Sequence, residues 1–74
     1  MANYKLDLTG YECPAPLIHV KSALQHMKQG DKVSIIITQE SCFTDILDFA
    51  KRKQYTVSQA EQKNGGYIIT IEKK

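Results

Sequence analysis

Between Leu8 and Leu17 the apolar residues change their period, and that switch restricts the fold more than any other feature of the chain. Residues 4–8 alternate apolar and polar, the period of a half-buried strand, and the alternation ends at Thr9-Gly10. From Leu17 onward, Leu17, Val20, Leu24 and Met27 recur at helical spacing until Gly30, so a tight turn must join a strand to an amphipathic helix. Residues 32–38 (KVSIIIT) follow, short and β-branched, apolar on the face of Val33, Ile35 and Ile37 and partly so on the other through Ile36, as an interior strand requires. A strand-helix-strand unit within one sheet is nearly always parallel and right-handed, so the first two strands are expected to run parallel.

The rest of the chain completes the layer. Phe43, Ile46, Leu47 and Ala50 form a second helical stripe, and Lys51, Arg52 and Lys53 bring positive charge to its last turn, where it suits the helix dipole. That basic triplet reads as a solvated helix end, with docking of a partner as the alternative. Residues 55–61 and 67–71 alternate again across Asn64-Gly65-Gly66, which supplies the positive φ values of a tight hairpin. The expectation is one domain over residues 1–74, an α/β two-layer sandwich of order βαβαββ. Its four-stranded mixed sheet should carry both helices on one face.

Composition removes several function classes. With 42% hydrophobic and 24% charged residues, the 74-residue chain has the balance of a globular domain, and at that size its core must be small. A net charge of +2 is too mild for a surface that tracks phosphates, so no direct nucleic-acid ligand is expected. Residues 1–5 lack an apolar signal region, and the longest apolar run is far shorter than a membrane span, so the chain reads as cytoplasmic and without membrane insertion. Cys13 and Cys42 are too few for a disulfide scaffold and form no Cys-x-x-Cys pair, which fits a reducing compartment. With His19 and His26 they are the only soft or imidazole ligands. The histidines stand about two helical turns apart, so neither a metal nor another cofactor is expected. No phosphate-binding glycine loop, carboxylate pair or Ser-His-Asp arrangement can be assembled.

One position invites chemistry. If the first helix starts at Pro14, then Cys13 is its N-cap, Pro14 is N1 and Pro16 is N3, positions where proline costs little because their amides have no partner within the helix. The free N–H of Ala15 and the positive end of the helix dipole would then stabilise a thiolate at Cys13 and lower its pKa. Gly10 would let the backbone turn sharply and leave room for a reagent. Glu12 works against this, because an adjacent carboxylate disfavours a thiolate unless it points away. His19 falls some 240° around the helix from Cys13 at about 100° per residue, so a Cys-His pair is not expected. From these residues alone Cys13 is either a reactive thiol or a small buried hydrophobe.

Leu6-Asp7, Gly10, Cys13-Pro14-x-Pro16-Leu17, a helix, Gly30-Asp31, a β-branched strand, a second helix and a closing hairpin together resemble the TusA/SirA-like sulfur carrier family along essentially the whole chain. The resemblance implies that Cys13 takes up sulfane sulfur as a persulfide and relays it, with Gly10, Pro14, Ala15 and Pro16 forming its helix cap. The donor would be a cysteine desulfurase, a rhodanese-like protein or a sulfane compound, and the recipient an acceptor protein serving tRNA thiolation, cofactor sulfuration or sulfur-compound metabolism. The competing reading is a non-catalytic adapter or redox regulator with the same fold. Tyr11 replaces the family's usual leucine, Thr38-Gln39-Glu40-Ser41-Cys42 replaces its usual acidic residue and short loop, and Leu47 replaces its usual proline near the start of the second helix. Cys42 is outside the family pattern. It is expected either to pack beside Phe43 as a core residue or, since parallel first strands would bring both helix starts to one sheet edge, to act as a second thiol that attacks the Cys13 persulfide.

Overall fold

The residues with period-two alternation become strands and those with helical period become helices. The computed structural model describes residues 3–12 and 15–73. Its elements are β1 (Asn3–Asp7), α1 (Ala15–His26), β2 (Lys32–Ile37), α2 (Glu40–Arg52), β3 (Thr56–Lys63) and β4 (Gly66–Glu72). Cys13 and Pro14, placed at the start of the first helix by the sequence pattern, lie outside the described residues.

The sheet runs β1-β2-β4-β3. β1 is parallel to β2, with Asp7 opposite Ile36, and β4 is antiparallel to both β2 and β3. The hairpin thus inserts β4 between β2 and β3, so that the β2-α2-β3 unit is a split βαβ. Two residues at φ +52 and +78, Asn64 and Gly65, form the hairpin turn, and their successive positive φ values match the right-handed twist of the strands they join. Gly66 already belongs to β4, where a Cβ would stand 3.0 Å from the Ile37 carbonyl oxygen.

One face of the sheet carries the core. Val33, Ile35 and Ile37 of β2 and Ile69 and Ile71 of β4 are fully buried. Against them pack Pro16, Val20 and Leu24 from α1 and Cys42, Ile46 and Ala50 from α2, each set at i, i+4, i+8. The second stripe is therefore turned toward Cys42, and Phe43 and Leu47 flank it half-buried. The other sheet face is mixed: Ile36 and Ile68 pair there half-buried, beside a polar group in which the Thr70 hydroxyl lies 3.3 Å from that of Ser34 and donates to Gln59.

α1 stops at His26, four residues short of Gly30. The Lys73 ammonium ends it by donating to the carbonyls of Leu24 and Met27 at 2.7 and 2.9 Å, carbonyls that the helix cannot pair itself. The nearly buried Asp31 carboxylate accepts the Lys28 amide at 2.9 Å and holds the turn that follows.

Candidate functional site at the mouth of the first helix

The backbone leaves β1 through a turn built by three residues. The Asp7 carboxylate accepts both the Thr9 hydroxyl, at 2.7 Å, and the Thr9 amide, at 3.2 Å. These two bonds stabilise the charged form and hold Asp7 below its ordinary carboxylate range. Gly10 follows at φ +88 with open space around it, so its backbone conformation, not crowding, selects glycine. Tyr11 and Glu12 are exposed, and α1 begins at Ala15.

Asp7 yields a prediction with a definite sign. A carboxylate whose folded-state pKa is depressed adds stability above its unfolded-state value and loses it as pH falls through the folded one. Thr9→Val removes the hydroxyl donor, so the Asp7 titration midpoint followed by NMR should rise toward the ordinary value, while an unchanged midpoint would show that the hydroxyl plays no part.

One of the expected cap residues departs from the sequence reading, and another has a second role. The Ala15 amide is not free: it donates to the Glu12 carbonyl at 2.9 Å, closing a turn that leads into the helix. Of the two contributions assigned to Ala15 and the helix end, the dipole is the one left available to a neighbouring anion. Pro16 is more than a rigid starter, since its ring is fully buried and anchors the first turn of α1 in the core. Pairing of these residues with the sulfur of Cys13 falls outside the described residues.

Cys42 lies in the first turn of α2, fully buried within the core cluster, and its sulfur is held in a disulfide. It packs as a small core residue of α2, with its sulfur bonded rather than a free thiol. Both histidines are exposed. The His26 Nδ1 lies 2.8 Å from the Ser22 carbonyl oxygen, and His19 meets Tyr11 edge-on at 5.4 Å between ring centroids. Among the described residues no three His, Cys, Asp or Glu side chains gather as a metal site, and no helix is long and apolar enough to cross a membrane.

The Tyr11–His19 contact was not legible, because no sequence period relates a loop residue to a helix residue eight positions on. Together with Ile18, which is 60% exposed, Tyr11 presents apolar surface on both sides of the Cys13 position in sequence. A groove of about 280 Å³ runs between the helices, lined by Leu17, Lys21, Asp45, Asp48, Phe49 and Arg52. Lys21 lies over the Phe49 ring at 5.3 Å. Of the basic triplet only Arg52 lines this groove.

The fold defines a class: a two-layer α/β domain with a split βαβ unit, in which a glycine turn and a helix N-terminus flank a Cys-Pro-x-Pro element. The chain matches the family model described as sulfurtransferase TusA over residues 4–73 and belongs to that family. It is 33% identical to a candidate sulfur carrier protein of Methanocaldococcus jannaschii, over 99% of this chain and 97% of that one. It is 28% identical to the sulfur carrier protein TusA of Allochromatium vinosum, over 93% and 91% of the two chains. The crystal structure of a SirA-like protein from Desulfitobacterium hafniense superposes with a TM-score of 0.80 at 26% identity, covering 93% of this chain and 95% of that one.

Proposed function

We propose that this protein is a cytoplasmic sulfur carrier in which Cys13 accepts sulfane sulfur as a persulfide and passes it to an acceptor protein. The observation that carries this reading is the setting of Cys13 in a TusA-family chain: the element Cys13-Pro14-x-Pro16 runs from an exposed turn at Gly10–Glu12 into the N-terminus of α1. The positive end of that helix favours an anion beside it, and a thiolate is the form that attacks a sulfane sulfur. The buried ring of Pro16 anchors the described start of α1 against the core. The donor is a protein persulfide of the desulfurase or rhodanese type, or a small sulfane compound. Donor and acceptor must both approach the same exposed turn, and Tyr11 and Ile18 offer them apolar contact there.

A pure adapter would share the surface but need no activated thiol. Alkylation of Cys13 in reduced protein, followed against pH and assigned by peptide mass, separates the two. The carrier reading predicts a midpoint below the ordinary thiol value of about 8.5; a midpoint at or above it favours the adapter.

A further inference from the structure

The register of the parallel strands relates the two cysteines through a paired position, from which each is the same distance along the sequence. Asp7 pairs with Ile36 across β1 and β2; Cys13 lies six residues beyond Asp7, and Cys42 six residues beyond Ile36. The pairing persists past the end of β1, since the Leu8 amide donates to the Ile36 carbonyl at 2.8 Å. Both connections leave the same edge of the sheet, from strands about 4.8 Å apart, and a disulfide needs Cα atoms within about 7 Å. Cys42 is fully buried and disulfide-bonded, and the sequence holds one other cysteine, Cys13. In the cytoplasmic setting proposed above, disulfides are usually of the transient, catalytic or redox-sensing kind.

We propose that Cys42 is a resolving thiol that discharges the Cys13 persulfide as sulfide and leaves the carrier in an oxidised, sulfur-refusing state. This rests on the carrier reading above. In the step, the Cys42 sulfur attacks Sγ of the Cys13 persulfide. The bond between that Sγ and the outer sulfur breaks, and a Cys13–Cys42 disulfide forms. The outer sulfur leaves with the bonding electron pair and the Cys42 proton as hydrosulfide, so the sulfane sulfur is reduced while the two cysteine sulfurs are oxidised. No outside oxidant is needed. A dithiol reductant returns the protein to its accepting form. Burial of Cys42 limits competing attack by external reagents, so an unclaimed persulfide is cleared within the chain.

The test uses reduced full-length protein, loaded with glutathione persulfide and then freed of excess donor. Wild type should release sulfide about tenfold faster than Cys42→Ala and acquire a Cys13–Cys42 linkage by peptide mass, whereas Cys42→Ala should retain one added sulfur on Cys13. Equal release from both proteins, with no such linkage in wild type, would overturn the resolving role and leave the carrier reading standing. Failure of both wild type and Cys42→Ala to gain sulfur would overturn the carrier reading and this inference with it. Peptide mapping of wild type alone decides the linkage should the alanine variant fold poorly.

Discussion

Ile35→Ala is expected to lower the stability of this domain by about 2 to 5 kcal/mol, the range for such large-to-small changes in a core. Ile35 is 0% exposed at the centre of β2, with Leu6 of β1 on one side and Ile69 of β4 on the other in register. Strands on both sides and the helix layer above leave the surroundings little freedom to collapse into the space, so the cavity persists and its cost adds to the lost transfer energy. A domain this small has a total stability of roughly 5 kcal/mol or a little more, and the variant would keep only a fraction of it. Ile36→Ala is the internal control: its side chain is half-buried on the opposite sheet face, and its loss should cost only about 1 kcal/mol. Urea unfolding followed by circular dichroism measures both. Equal losses for the two variants would contradict the one-sided core.

Periodicity reveals which face of an element is buried but not which element it meets. The strand and helix positions, the parallel β1-β2 pair and the antiparallel hairpin therefore followed from local patterns. The insertion of β4 between β2 and β3 did not, because it depends on where the hairpin docks. The same limit explains the second helix, where Phe43 and Leu47 dominate the apolar pattern yet the buried line runs through Cys42, Ile46 and Ala50. Cysteine is small enough to sit against the sheet where Phe43 would not, and the larger ring stacks on Tyr67 at 4.6 Å instead. Long-range polar contacts were equally invisible: the Lys73 ammonium closes α1 from almost fifty residues away.

At the candidate site, Gly10 was legible because a strand-to-helix reversal this short demands positive φ, and the structure holds it at +88. Ala15 misled because an amide at a helix start lacks a partner only within the helix, and here the preceding turn supplies the Glu12 carbonyl. The part of Pro16 in starting the helix is local and readable, whereas its burial depends on how α1 lies on the sheet.

Sulfur loading followed by intact-protein mass tests the central claim most directly. Reduced wild type, Cys42→Ala and Cys13→Ser are each mixed with glutathione persulfide and weighed at short times, before any discharge. Wild type and Cys42→Ala should each gain one sulfur atom, removable by a thiol reductant, and Cys13→Ser none, because a serine hydroxyl is neither ionised nor nucleophilic enough to attack a sulfane sulfur at neutral pH. A sulfur adduct that persists in Cys13→Ser, or its absence from the two proteins that keep Cys13, would contradict that claim.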